Sequence, residues 1–216
     1  PILEHIVEGV RAAGINDICI VTGWHAEAIE NYFGDGAKFG VSLSYVRQET
    51  QNGTAKAAAL AKSFVGNDSF LLAYGDILVD PETYARLIER FSDGAFSGVV
   101  AVRKGEDVRK GGLFFFDKEF VLANLVEKPS DEEIERLKKE GWIREGEPLW
   151  YNAAVGIFSP AIFEFIEKLK ASLRGEYELT DAIQECVKKG HRLAGLSIEG
   201  TWADVRDPDI LASLQK

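Results

Sequence analysis

Short apolar runs alternate with amphipathic segments of helical length along the first half of the sequence, and this alternation restricts the fold most strongly. Asp17–Thr22, Ser69–Tyr74 and Gly98–Arg103 are nearly continuous apolar runs, typical of strands buried on both faces. Ile2–Ala13 and Pro81–Phe91 place apolar residues at helical spacing between such runs. Strands and helices in this order predict right-handed βαβ units within a three-layer α/β/α fold.

The second half of the chain departs from this alternation. Leu113–Phe116 and Val121–Val126 predict an antiparallel hairpin at the periphery of a mostly parallel, mixed sheet. Ser130 precedes three acidic residues, a pattern that marks the first turn of a helix, and Tyr151–Phe158 predicts a further strand. Because no repeat or linker-like composition interrupts the chain, we expect a single domain over residues 1–216.

Charge and composition exclude several classes of function. The net charge is −10, whereas nucleic-acid backbones are held by clustered lysine and arginine, so we expect no nucleic-acid partner. No apolar run approaches the ~20 residues that span a membrane, so we expect no membrane partner and a cytoplasmic location. Cys19 and Cys186 lie in apolar-periodic segments, which favours buried thiols over a disulfide. The histidines and cysteines lack the spacing or basic surroundings of a zinc site or a hydrolase triad.

Two acidic residues follow predicted strands at positions where ligands bind. In open α/β sheets, ligands lie beyond the carboxyl ends of the strands. Asp76 follows the run that ends at Tyr74, and Asp204 follows Trp202 near the end of the chain. Two carboxylates that meet in the fold could hold Mg²⁺ beside substrate phosphates. A strand-ending turn at Asp76 and a helix cap at Asp204 are the structural alternatives.

Three further segments combine polar residues with small ones. Gln48–Ala55 lies between a strand and an alanine-rich helix, and Gly53 would let the backbone there approach a ligand. Glu127 and Lys128 end a strand as adjacent opposite charges, which surface decoration would explain equally well. Asn152 precedes two alanines, which indicates either close approach to a ligand or tight strand packing. Taken singly, each signal is weak.

The order of these segments is more specific than any one of them. In sequence order, the chain contains Pro1-Ile-Leu-Glu-His-Ile6, Gln48-(x)4-Gly53-Thr54-Ala55, Gly75-Asp76, Glu127-Lys128-Pro129, Asn152-Ala153, Glu178-Leu-Thr-Asp181 and Trp202-Ala-Asp204-Val205. This order resembles the sugar-1-phosphate nucleotidylyltransferases, or NDP-sugar pyrophosphorylases, across essentially the whole chain. The resemblance implies a Rossmann-like catalytic domain of sugar nucleotide biosynthesis. Such a domain forms an NDP-sugar and pyrophosphate from an NTP and a sugar-1-phosphate.

The resemblance also implies a role for each candidate residue. Asp76, Lys128 and Asp204 would be catalytic: the two aspartates would hold Mg²⁺, and Lys128 would contact the sugar phosphate. The nucleotide would be bound by Gln48, Gly53, Thr54, Ala55, Gly75 and Asp76, and the sugar by Gly112, Glu127, Lys128 and Asn152. The NTP stays open among UTP, dTTP and GTP, as does the sugar. The motifs are compatible with a homo-oligomer.

The sequence also departs from the family pattern. Asn52 stands where Leu is common, Ala154 where Gly is usual and Arg206 where Gly is frequent. Family members carry a first strand and a Gly-rich phosphate loop upstream of a stretch like residues 1–3, and we expect that segment to lie outside the given sequence. Without that central strand, the sheet should have two unpaired edges. The alternative is a catalytically inactive sugar-nucleotide-binding subunit or fragment.

Overall fold

The computed structural model describes residues 1–172 and 174–205. Its α-helices are α1 Ile2–Ala12, α2 Ala26–Phe33, α3 Thr54–Leu60, α4 Lys62–Val65, α5 Glu82–Ser92, α6 Asp131–Lys139, α7 Ile162–Lys168 and α8 Leu179–Lys188. Its strands are β1 Asp17–Thr22, β2 Ser42–Arg47, β3 Phe70–Ala73, β4 Ile77–Val79, β5 Gly98–Arg103, β6 Gly112–Phe116, β7 Leu122–Glu127, β8 Trp150–Phe158, β9 Leu193–Ser197 and β10 Trp202–Asp204. The helices and strands predicted from the sequence are confirmed, with small shifts at their ends.

The central sheet is mixed, as predicted. It has six strands in the order β7-β6-β8-β5-β9, and β3 also pairs with β8. Strands β3, β5, β6 and β9 run in one direction, whereas β7 and β8 run in the other. Because β8 separates β5 from β3 and β6, the described part of this sheet has one parallel ladder, β5–β9, which is fewer than a mostly parallel sheet implies. The β6–β7 hairpin lies at one edge, as predicted.

Strands β1 and β3 each have one edge that pairs with no other strand of the described residues. Strand β1 pairs in parallel with β2 in a separate two-stranded sheet, and β3 pairs with β8 alone. The other edge of each strand therefore has no partner in this part of the chain. The sequence predicted two unpaired edges for a sheet without its central strand, and that strand stays a prediction.

Helices cover both faces of the six-stranded sheet and complete the three predicted layers. Val100 and Val102 of β5 pack in one apolar cluster with α3, α7 and α8. Val99 and Ala101 pack in a second cluster with α1 and α5. All four residues are buried. Burial on both faces explains why β5 is apolar at successive positions rather than at alternate ones.

A short ribbon of two strands was not predicted from the sequence. Strand β10 pairs antiparallel with β4, and each has three residues, too few to show a periodic pattern. Arg206, where the sequence departs from the family pattern, lies outside the described residues. Among the helices of the described residues, none is both long enough and apolar enough to cross a bilayer.

Candidate active site

The loop that begins at Gln48 is tied to two other segments by hydrogen bonds. The Gln48 amide N–H donates to the carbonyl of Thr22 at 2.8 Å, so the loop leaves the sheet beside the end of β1. The Gln48 side-chain Nε2 donates to the Gly53 carbonyl at 3.2 Å, which closes the loop on itself. The backbone of Tyr177 accepts from Ala55 N–H and donates to the Asn52 carbonyl, both at 2.9 Å.

Gly53 is required by the geometry of this loop. Its φ is 120°, a region that residues with a side chain rarely adopt. A Cβ at this position would also collide with the backbone of Tyr177. Ala55, in contrast, is fully buried in the core, and its N–H is already bonded to Tyr177. Ala55 therefore fits packing of the loop rather than a side-chain contact with nucleotide.

Thr54 links this loop to the start of α8. Its hydroxyl oxygen accepts from the Leu179 N–H at 2.9 Å, and the hydroxyl lies 3.5 Å from the Glu178 carboxylate. Glu178 is buried and accepts from Arg174 at 2.9 Å. Burial alone would raise the pKa of Glu178, but the hydrogen bond from Arg174 and the charge of Lys128 hold that pKa below its usual value. Glu178 is therefore a buried, paired anion.

Glu127, at the end of β7, lies in the same region. The Thr180 hydroxyl donates to Glu127 Oε2 at 3.0 Å, and Lys128 Nζ lies 3.9 Å from Oε1. Burial raises the pKa of Glu127, and the negative charge of Glu178 raises it further. Thr180, Lys128 and Arg174 oppose this shift without reversing it. The Glu127 carboxyl is thus largely shielded from solvent, and the hydroxyl of Thr180 orients it.

Three strands bring Glu127, Gly112 and Asn152 together. Gly112 of β6 is paired with Glu127 of β7. A Cβ on Gly112 would lie 2.8 Å from Phe114 Cε1, 3.2 Å from Asn152 Cβ of β8 and 3.3 Å from Glu127 Oε2. No side chain therefore fits at Gly112, and the glycine lets the three strands bring Glu127 and Asn152 close together.

Lys128 adopts a backbone conformation that is unusual for its residue type. Its φ is 46°, and its N–H donates to the Gly111 carbonyl at 2.9 Å. A left-handed residue other than glycine costs about 1–2 kcal/mol, and such strain clusters at functional sites. The side chain of Lys128 is 40% exposed, whereas that of Glu127 is 13% exposed. The ammonium group is therefore available to solvent or to a ligand.

Strand β8 is irregular where it carries Asn152. The Asn152 side-chain oxygen accepts from the Ala154 N–H at 3.0 Å, and Ala154 has a φ of 58°. The pairing of β8 with β5 shifts register in the same stretch. This conformation favours glycine, which accounts for the family preference for Gly where this chain has Ala154. The Ala154 carbonyl accepts from the Tyr74 N–H at 3.1 Å, so the irregularity also holds the end of β3.

The ribbon of β4 and β10 brings the two candidate metal ligands side by side. Asp204 pairs with Ile77, and the Val205 N–H donates to the Asp76 carbonyl at 2.9 Å. Trp202 anchors β10, since its indole N–H donates to the Ala153 carbonyl at 3.2 Å. The main chains of the two aspartates therefore adjoin, although 128 positions separate them in the sequence. Gly75, the predicted neighbour of Asp76, is exposed.

Tyr74 connects the two groups of acidic residues. Burial raises the pKa of its phenol, and the Thr54 hydroxyl opposes that shift. The negative charges of Glu127, Glu178 and Asp76 raise the same pKa further, so all three carboxylates act on one phenol. Glu127, Glu178 and Asp76 therefore all lie near the Tyr74 side chain.

Three residues of this site were not given a role by the sequence. Glu178 and Thr180 belong to a motif that contributed to the resemblance, and Arg174 precedes it. Their contacts with Thr54 and Glu127 join residues more than 50 positions apart, which no local pattern reports. In a sequence, an acidic residue at the start of a helix is usually interpreted as a helix cap. In the structure, the Glu178 side chain makes no capping hydrogen bond.

Comparisons with known proteins place this geometry among known folds. A family model described as "Nucleotidyl transferase" matches residues 1–215. The low-salt glycan biosynthesis nucleotidyltransferase Agl11 of Haloferax volcanii is 36% identical over 100% of this chain and 57% of its own length. The glucose-1-phosphate thymidylyltransferase of Streptomyces antibioticus is 30% identical over 94% of this chain and 53% of its own length. The chain thus spans about half the length of these curated relatives.

A solved structure agrees with the fold. The crystal structure of UDP-glucose pyrophosphorylase complexed with UDP-glucose superposes with a TM-score of 0.82 at 23% identity. The match covers 100% of this chain and 86% of that chain. At this identity the likeness concerns the fold, and it includes the mixed sheet with helices on both faces.

The raised pKa of Glu127 predicts a pH-dependent stability effect. Below the unfolded Glu pKa of about 4.3, the carboxyl is neutral in both the folded and the unfolded state, so its burial does not lower stability through charge. As pH rises through the raised folded pKa, the buried carboxyl becomes charged and the folded state loses stability. Glu127→Gln keeps an acceptor for Thr180 and removes the charge. We expect the melting temperature of the variant to rise relative to that of the parent as pH increases above about 4.3, and the difference to level off once pH passes the raised folded pKa.

Thermal melts at several pH values check this expectation. Glu164→Gln on α7 is the matched control, because Glu164 is exposed and its replacement removes no buried charge. We expect its melting temperature to follow the parent at every pH. If the melting-temperature difference between Glu127→Gln and the parent is the same below and above about pH 4.3, or becomes smaller as pH rises, the buried-charge interpretation is contradicted.

Proposed function

Because the chain belongs to the nucleotidyl transferase family, we propose that it forms an NDP-sugar and pyrophosphate from an NTP and a sugar-1-phosphate. One observation carries this proposal: strand packing at Gly112 brings Glu127 and Asn152 together beside Lys128, and the β4–β10 ribbon brings the main chains of two aspartates together. A hydroxyl-rich ligand that bears a phosphate needs this combination. The named relatives include a glucose-1-phosphate thymidylyltransferase, which points to the same class of substrate.

The sugar end of the proposed site is formed by the strand ends of the hairpin and β8. Glu127 and Asn152 would accept and donate hydrogen bonds to sugar hydroxyls, and Gly112 would allow the strands that carry them to lie close together. Thr180 would keep the Glu127 carboxylate in one orientation. Lys128 would contact the phosphate as a point charge, a role for which its exposed ammonium group is suited.

The nucleotide end would lie at the loop that begins at Gln48. The Gln48 side chain and the backbone near Gly53 would recognise the base, and Thr54 would hold the loop against α8. An exposed Gly75 before Asp76 would let the backbone approach the phosphates. UTP, dTTP and GTP are the candidate nucleotides, and the relatives' names favour dTTP or UTP.

Asp76 and Asp204 fit a divalent cation such as Mg²⁺. Magnesium is usually held by one or two carboxylates together with substrate phosphates rather than by a cage of protein ligands. The β4–β10 ribbon brings the main chains of these two aspartates together. The described residues contain no group of three or more His, Cys, Asp or Glu placed to hold a metal. Mg²⁺ bound there would neutralise negative charge on the triphosphate.

In the proposed reaction, a phosphate oxygen of the sugar-1-phosphate attacks the α-phosphorus of the NTP. A phosphorus–oxygen bond forms there as the bond from the α-phosphorus to the β-bridging oxygen breaks. The electron pair of the broken bond leaves with pyrophosphate. The chain would contribute mainly position and charge: Glu127 and Asn152 fix the sugar, and Lys128 offsets the repulsion between two anionic reactants.

We further propose that a strand from outside residues 1–216 completes the domain. The unpaired edges of β1 and β3 support this proposal, because exposed strand edges of a central sheet are rarely left open. The relatives are about twice as long as this chain, so additional segments are compatible with the comparison.

A substrate panel tests the proposed function. The full-length protein is assayed for pyrophosphate release with UTP, dTTP or GTP against glucose-, mannose- or N-acetylglucosamine-1-phosphate, with and without Mg²⁺. We expect at least one pair to release pyrophosphate only when both substrates and Mg²⁺ are present. Tight binding of an NDP-sugar without turnover of any pair would instead support the inactive sugar-nucleotide-binding subunit.

Lys128→Ala tests the assignment of the sugar phosphate. A charge-assisted phosphate contact contributes about 1.5–3 kcal/mol, so we expect KM for the sugar-1-phosphate to rise about 10- to 100-fold. KM for the NTP should change much less. Lys118→Ala is the matched control, because Lys118 is exposed in the turn at the opposite end of the same hairpin. Equal increases in both KM values would contradict the assignment.

A further inference from the structure

An exposed tryptophan borders the Gln48 loop. Trp24 follows β1 after Gly23, and 79% of its side chain is exposed. The other large apolar side chains exposed in the described part of the chain are at most 44% exposed. A tryptophan is usually buried on most of its surface, so one that stands in solvent is informative. Indole rings in such positions are typical of binding surfaces.

The topology places Trp24 at the same sheet edge as the proposed nucleotide loop. Strands β1 and β2 are parallel and end in register at Thr22 and Arg47. The residues that follow them, Trp24 and Gln48, therefore leave the sheet side by side. A groove of about 330 Å³ lies between them, lined in part by Trp24, His25, Gln48 and Gln51. Gln51 packs against Gly23, 3.0 Å from where a Cβ would lie.

The groups in this groove match a flat, uncharged ligand. His25 stands edge-on to the indole, with ring centres 5.1 Å apart, and leaves one face of Trp24 to solvent. The Gln51 side chain makes no hydrogen bond to the described residues, so its amide can donate and accept. The charge of Arg47, at the groove wall, is paired with Glu27 at 3.0 Å and Glu49 at 3.8 Å. A phosphate group would meet no unpaired arginine here.

We propose that Trp24 stacks on the nucleobase of the bound NTP and that Gln51 bonds to the edge of that base. This inference rests on the proposed function, and it adds a binding surface to the Gln48 loop. Every nucleobase has a flat face that can stack on an indole ring. The hydrogen-bonding groups on the edges of the bases differ, so an amide that bonds to an edge can distinguish among them. Trp24 would therefore supply affinity for any NTP, and Gln51 would supply preference among them.

Calorimetric titration of the full-length protein tests the proposal. Trp24→Ala should weaken binding of UTP and dTTP about 5- to 100-fold, as loss of one base-stacking contact does. Affinity for inorganic triphosphate should change less than about twofold, because that ligand has no base. Trp24→Phe should recover most of the lost nucleotide affinity. Trp142→Ala is the matched control, since Trp142 is also exposed but packs on Phe115.

The possible outcomes separate this proposal from the proposed function. If Trp24→Ala binds NTP as tightly as the parent, with or without a lower melting temperature, Trp24 does not stack on the base. In that case, pyrophosphate release by the parent still supports the proposed function. Equal losses for NTP and inorganic triphosphate also overturn the role of Trp24, because they show a general disturbance. Quenching of Trp24 fluorescence by sugar-1-phosphate and not by NTP would assign the groove to sugar. A parent protein that binds no NTP overturns both proposals.

Discussion

The irregular stretch of β8 around Asn152 is the constraint on which the rest of the site depends. The Asn152 side-chain oxygen accepts from the Ala154 N–H, and the pairing of β8 with β5 shifts register in this stretch. The Ala154 carbonyl then holds Tyr74 at the end of β3, and the Ala153 carbonyl holds the indole of Trp202. One strand thus determines where the chain turns towards Asp76, where it turns towards Asp204 and where Asn152 stands.

Charge burial is the second organising feature of the site. The negative charge of Glu178 raises the pKa of Glu127, and of the two only Glu178 has an arginine bonded directly to it. The fold therefore keeps Glu127 in an environment that disfavours its charge. Such an arrangement lowers stability at neutral pH and is retained in proteins where the carboxyl has a function. Under the proposed function, the hydroxyl groups of a sugar would donate hydrogen bonds to the Glu127 carboxylate in place of water.

The sequence predicted the layers and most elements because those features have local signals, whereas the roles of the site residues come from the order of motifs and stay predictions. The continuous apolar run of β5 indicated burial on both faces, and the capping box at Ser130 marked the start of α6. The ribbon of β4 and β10 was missed because three-residue strands have no period. Thr180 and Glu178 were given no role because their contacts join distant residues, and Arg174 matters only through the Glu178 carboxylate to which it donates. The central position of antiparallel β8 likewise depends on tertiary pairing, which periodicity does not report.

The central claim is that Asp76 and Asp204 act as one charged unit at the end of this ribbon. A double-mutant cycle in the full-length protein tests it most directly, with pyrophosphate release measured for the parent, Asp76→Asn, Asp204→Asn and the double variant. We expect each single change to lower kcat by about 100-fold or more, and the double variant to be little slower than either, because residues that act as a unit are not additive. Losses that multiply, or a near-parental rate in either single variant with an unchanged melting temperature, would contradict the claim.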